Sequence, residues 1–90
     1  MALEFDWNQH NSDHIARHCV SPQEAEDALT DPDRLAVPAY KGSDGEPRWA
    51  VVGNTKTGRT LFVVFTLRGT KCRVVTAYEA PPKLKNRYWA

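Results

Sequence analysis

Acidic side chains almost vanish from the second half of this 90-residue chain. Beyond residue 46 the sole carboxylate residue is Glu79, against nine lysines and arginines, a net of +8. The first 46 residues reverse the balance, with ten acids and three bases for a net of −7, so the overall +1 conceals a bipolar chain. Either the basic half faces an anionic partner such as nucleic acid, or the two halves neutralise each other inside one fold. Other scarcities exclude whole classes of protein. No apolar run approaches the length of a membrane-spanning helix. Met1–Asp6 lacks the basic and apolar regions of a signal peptide, so the expected location is the cytoplasm. With only two cysteines, Cys19 and Cys72, there is no CxxC pair and no disulfide framework; both are expected reduced and buried, a single bridge being the alternative. The five glycines make no dinucleotide fingerprint, and no serine-nucleophile motif is present. The loop Gly53–Thr60 has the outline of a P-loop, but Arg59 stands where the lysine belongs and the loop joins two strands.

What the chain does have is a 31-residue stretch, Arg48–Tyr78, that reads as three antiparallel strands joined by glycine-marked turns. Its middle segment, Leu61–Thr66, is apolar, β-branched and aromatic on both faces, as suits a central strand. In the third strand simple alternation puts Val74, Thr76 and Tyr78 on one face and Arg73, Val75 and Ala77 on the other. Arg73 and Tyr78 can then share a face only if the strand is bulged or Arg73 lies at its end. Upstream, Leu3–Trp7 alternates apolar and acidic residues and predicts a short strand with Leu3, Phe5 and Trp7 inward. Asn8 is the predicted cap of a helix running to about His18, with Ile15 in its core. Ser21-Pro22-Gln23-Glu24 forms a capping box with proline at the first helical position, which predicts a second helix from Pro22 to about Leu29. Residues 31–47 read as a loop with a short extended piece at Leu35–Val37 and a flexible tip at Lys41–Gly45. The tail from Pro82 reads as a short basic helix or an ordered extension. Lys83, Lys85 and Arg87 with Tyr88 and Trp89 suit RNA binding, while Leu84, Tyr88 and Trp89 equally suit docking onto the sheet.

His10, His14 and His18 recur every four residues, and a helix stacks such residues on one face. That spacing can bind zinc, although no acidic residue completes an HExxH motif; a structural or phosphate-contacting role is the competing reading.

The ordered series Phe5-Asp6-Trp7-Asn8, Ile15-x-Arg17-His18-x-Val20-Ser21, Glu24-Ala25, Asp44-Gly45-Glu46-x-Arg48-Trp49, Val63–Thr66-x-Arg68-Gly69, Arg73–Ala77 and Arg87-Tyr88 resembles the BrnT toxin family across nearly the whole chain. The resemblance implies one α+β domain over residues 1–90 with a RelE-like fold: a short N-terminal strand and two helices on a three- to four-stranded antiparallel sheet, then a short C-terminal basic helix or tail. It implies a bacterial ribonuclease toxin with an RNA substrate and a cognate antitoxin, of ribbon-helix-helix type, through which oligomers form. No metal, other cofactor or membrane partner is implied. Metal-free cleavage through the ribose 2′-hydroxyl needs charge on the phosphate and proton transfer. Candidate catalytic residues are Arg48, Arg68, Arg73, His18 and Tyr78. Candidate RNA contacts are Arg17, Lys71, Lys83, Arg87 and Tyr88. This chain departs from the family pattern at Cys19, where glycine is usual, at Tyr78, where arginine is common, and at His14, where asparagine is common. Those departures bear on catalysis more than on the fold. The alternatives are a non-catalytic relative that binds RNA or a partner protein, and a histidine-based metal protein.

Overall fold

A computed structural model describes residues 4–39 and 46–90. Leu3 and the Lys41–Gly45 tip lie outside the described residues. The elements in chain order are β1 (Glu4–Phe5), α1 (Gln9–Ala16), α2 (Pro22–Leu29), β2 (Leu35–Val37), β3 (Trp49–Asn54), β4 (Thr60–Arg68), β5 (Lys71–Glu79) and α3 (Pro82–Trp89). The sheet has five strands in the order β1-β5-β4-β3-β2. It is mixed rather than three- to four-stranded and antiparallel, because β1 runs parallel to β5 at one edge and Leu35–Val37 pairs with β3 at the other.

Helix α2 follows its local code. Ser21 accepts from the Glu24 backbone N–H and Glu24 returns a bond to the Ser21 N–H, with Pro22 just inside the start. That Ser21 N–H, then the Arg59 guanidinium 2.7 Å away, hold the Glu24 carboxyl below its usual range. Helix α1 is capped by Asn8, and Asn11 reciprocates. It ends at Ala16, two residues short of the predicted end, so His18 falls in the turn beyond it. Cys19 N–H bonds Ala16 O and Val20 N–H bonds Ile15 O, with Cys19 at φ 61°, a Schellman pattern normally closed by glycine. Cys19 is therefore exposed instead of buried, while burial pushes the Cys72 thiol up to about 11.

Two apolar layers flank the sheet. On one face Ile15, Ala25, Ala28 and Leu29 of the first two helices cover Val51, Leu61, Val63, Cys72, Val74 and Ala77, with Phe5 and Trp7 packed alongside. Gly53 lets α2 come close, since a Cβ there would lie 2.1 Å from Ala28 O. On the other face Val37, Ala50, Val52, Phe62 and Val64 meet Leu84 and Tyr88 of α3. The tail is thus a helix docked on the sheet. Tyr88 OH donates to Asp31 Oδ2, and Trp89 Nε1 bonds Thr60 Oγ1 at 3.2 Å.

In β5 the alternation read from sequence fails. Val64 pairs with Thr76 but Phe65 pairs with Val74, so Val75 is an extra residue. Parity shifts across it. Val74 (1% exposed) and Ala77 (0%) both face the α1–α2 core, whereas Arg73, Thr76 and Tyr78 share the opposite face.

Two stability predictions follow from this packing. A non-glycine residue in the left-handed region costs roughly 1–2 kcal/mol. Cys19→Gly should therefore stabilise the protein by about 1 kcal/mol, a gain of roughly 4–8 °C in Tm by calorimetry; an unchanged or lower Tm would refute the strain. At the α3 dock, burial works to raise the Asp31 pKa, but bonds from Tyr88 OH and the Asn54 and Asp33 N–H groups, with the Arg34 charge, outweigh it and leave the pKa lowered. Burial first, then Asp31, raise that of Tyr88 to about 12. The carboxylate's share of stability is present above the ordinary Asp value and is lost as pH falls through the depressed one. The phenol's share is full below pH 10 and is lost as pH rises toward 12. Tyr88→Phe should cost about 1.5 kcal/mol at neutral pH and flatten the alkaline limb of a urea-denaturation pH series; an alkaline limb that survives would show that another group carries it.

Candidate functional site

The face opposite α1 and α2 is only half covered. Helix α3 is pinned at the end of the sheet where β3 finishes and β4 begins, through Asp31, Asn54 and Thr60. At the other end Trp49 pairs with Phe65 and Thr66 pairs with Arg73, so Arg48, Thr66 and Arg73 form a row across three strands. Arg68, two residues beyond Thr66, points to the same side. The β4–β5 turn beside it is Gly69-Thr70, with Gly69 at φ 62° in the first central position, as a type II′ hairpin requires.

Arg48, Arg68 and Arg73 line one pocket of about 210 Å³. Its walls are completed by Thr66, Val74 and Val75 of the sheet, Glu46, and His10 and Asn11 of α1. Asn11 explains how the first turn of α1 reaches this place. Its side-chain amide donates to Asp6 O at 3.0 Å and to Val74 O at 3.3 Å, the carbonyl just before the bulge. Arg68 pairs with Glu46 at 3.2 Å. Arg48 and Arg73 make no ion pair among the described residues, and the Arg48 Nε is buried without a hydrogen-bond partner. Three arginines share this pocket with one carboxylate, Glu46, and a buried donor without a partner costs about 1–3 kcal/mol. An anion in the pocket would meet the uncompensated charge and accept from that donor.

An adjoining pocket of about 280 Å³ shares Arg48 and Val75 with the first. Phe62, Val64, Pro38 and Ala39 make it apolar, and Thr76 and Tyr78 bring hydroxyls. The Tyr78 ring lies 5.2 Å from that of Phe62 and 5.8 Å from that of His18.

A family model described as the ribonuclease toxin, BrnT, of type II toxin-antitoxin system matches residues 7–83. The chain belongs to the BrnT family. A search of curated proteins found no match. Membership implies an RNA target and an antitoxin protein partner. Among the described residues no helix of this BrnT protein is long and apolar enough to cross a membrane.

Of the residues singled out from sequence, Arg48, Arg68 and Arg73 come together, and Tyr78 joins them through the pocket that shares Arg48. His18 lines neither pocket; it touches Tyr78 from the turn after α1, and its other ring neighbour is His14 at 5.7 Å. Lys71 is exposed opposite Arg68 across the hairpin, and Arg17 is exposed at the end of α1. Lys83 and Arg87 are exposed on α3 and line neither pocket, while Tyr88 is half-buried against Asp31. No group of three ligating side chains converges among the described residues, although the His14 and His18 rings lie 5.7 Å apart. Sequence reasoning named His10 only as part of that histidine series. Its approach to the arginines depends on where Asn11 anchors the helix, which no local pattern announces.

If this pocket receives phosphate, Arg48→Ala and Arg73→Ala should each reduce the salt dependence of binding to 2′-O-methyl RNA by about 0.7 in log K against log salt. Fluorescence anisotropy over a salt series measures this. Slopes equal to the unmodified protein's would remove the arginines from the RNA contact.

Proposed function

We propose that this protein is the ribonuclease toxin of a type II pair and cleaves RNA, without a required metal ion, through the ribose 2′-hydroxyl. The observation that carries the reading is the shared pocket of Arg48, Arg68 and Arg73, adjoined by Tyr78 across the Val75 bulge. The 2′-oxygen attacks phosphorus as its proton leaves to a base; the P–O5′ bond breaks and the 5′-oxygen takes a proton. A 2′,3′-cyclic phosphate and a 5′-hydroxyl result. Guanidinium groups grip the non-bridging oxygens bidentately and stabilise the crowded, doubly charged phosphorane. His10, at the wall of the arginine pocket, exchanges the proton there, and imidazole suits that task near neutral pH. His18 holds the Tyr78 ring from outside. Lys71, Arg17, Lys83 and Arg87 extend the cationic track for flanking nucleotides.

The reading includes a cytoplasmic toxin of RelE-like type and a ribbon-helix-helix antitoxin that covers the arginine face. Oligomers then form through the antitoxin. A second reading, a binding module that has lost cleavage, draws on one feature. Tyr78 stands where arginine is common in the family, and Arg68 is already engaged by Glu46.

Expression of the intact protein should arrest bacterial growth, and the purified protein should cut RNA in EDTA to leave cyclic phosphate ends. Arg48→Ala and Arg73→Ala should lower the rate at least 10²-fold. His10→Gln should lower it about 10²–10⁴-fold and delete one limb of the pH–rate profile, with His18→Gln changing it far less. RNA binding without cleavage by the intact protein would establish the second reading. A full rate in His10→Gln would return the proton-transfer role to His18.

A further inference from the structure

The pocket beside the arginines has the chemistry of a nucleobase slot, and we propose that it seats the base of a nucleotide adjoining the phosphate held by Arg48, Arg68 and Arg73. The proposal rests on the ribonuclease reading for the phosphate and adds the subsite. Three observations carry it. The two pockets adjoin, because Arg48 and Val75 line both, so a ligand anchored by phosphate in one has its neighbouring group within reach of the other. Their linings differ sharply in kind. The arginine pocket is polar, whereas its neighbour is walled by Phe62, Val64, Pro38 and Ala39. Finally, the apolar pocket has polar groups only at selected points. The Thr76 and Tyr78 hydroxyls have no hydrogen-bond partner among the described residues, and the Tyr78 ring is inclined 31° to Phe62.

A flat ligand with apolar faces and a hydrogen-bonding rim fits such walls, and a base attached to a phosphodiester is that ligand. The volume of about 280 Å³ suits one ring system rather than a run of stacked bases. A hydroxyl donates and accepts equally well. The slot therefore discriminates a base from no base more strongly than one base from another. This also gives Tyr78 a task that an arginine would perform differently: it offers a ring face to the base, while the phosphate keeps its three guanidinium groups. Bases stack on aromatic side chains tolerantly of sequence, so the slot predicts a broad cleavage preference.

Binding tests the slot without requiring cleavage. Nucleoside 3′-monophosphates and inorganic phosphate are titrated against the intact protein by NMR. The nucleotides are expected to bind at least tenfold more tightly than phosphate. Tyr78→Ala should remove most of that advantage and leave the phosphate affinity alone. Thr76→Phe, which fills the slot from a half-exposed position on the same face, should do the same. Circular dichroism verifies the fold of each variant. Equal affinities for nucleotide and phosphate in the intact protein would overturn the proposal, as they would if the pocket serves an antitoxin side chain instead. So would variants that weaken both probes together. Cleavage separates this from the ribonuclease reading. A protein that prefers nucleotides but cuts nothing keeps the slot and loses catalysis. One that cuts an RNA abasic beside the scissile phosphate as fast as the normal RNA keeps catalysis and loses the slot.

Discussion

One extra residue in β5 decides what both faces of the sheet can be. A regular strand alternates sides, so Val74 and Ala77, three apart, would lie on opposite faces. Yet both are sealed against α1 and α2. The bulge at Val75 satisfies that core demand, and the other face inherits the consequence. Arg73 and Tyr78, five apart, come to the same side and meet Arg48 there. A slip of one residue would have sent the whole second half of the strand to the wrong face. Packing on the covered side thereby sets the composition of the open side, and the candidate site is a product of the core.

The bulge works because the rest of the fold holds the open face half open. Helix α3 seals the end near Thr60 through Tyr88 and Trp89 and stops short of the arginines. Helices α1 and α2 lie on the reverse side, with Glu24, Glu26 and Asp27 on α2, while Glu46 and Asp31 of the same acidic half reach the open side, at the arginine pocket and at the α3 dock. Among the described residues only Arg59–Glu24 and Arg68–Glu46 pair a base of the second half with an acid of the first, and Lys85–Glu79 lies within the basic half.

Local chemistry made much of this readable in advance. The capping box at Ser21 and the cap at Asn8 mark helix starts because they satisfy backbone donors that would otherwise be orphaned. Glycine at the hairpins and the apolar middle strand gave the three-stranded centre for similar reasons. Helix α1 ends at Ala16, two residues before the expected end near His18, because the last turn tightens, with His18 N–H bonding Ile15 O and Cys19 N–H bonding Ala16 O. The two edge strands are short and owe their pairing to neighbours far along the chain. At the site, the arginines were visible as a cationic margin, and the conflict between Arg73 and Tyr78 allowed either a bulge or Arg73 at the strand end, of which the bulge is the one found. His10 was not recognisable as a site residue. Its position depends on the amide of Asn11 reaching a carbonyl 63 residues away.

That dependence separates two explanations of the arginine cluster. Cations recruited to stabilise a fold are usually met by carboxylates, and Arg59 is, at 2.7 Å from Glu24. Arg48 is half-buried, lacks an ion pair among the described residues and leaves its Nε without a partner, beside two more guanidinium groups. Folding alone gains little from burying an unpartnered Arg48 Nε, since desolvating a donor without a partner is a cost. Strain of this kind persists where a ligand repays it. The phosphodiester of the proposed RNA substrate would supply both the negative charge and acceptors for the unpartnered donor. The same logic bears on Tyr78. A fourth arginine there would add repulsion to a cluster already poorly compensated, whereas an aromatic ring adds contact with the ligand and no charge.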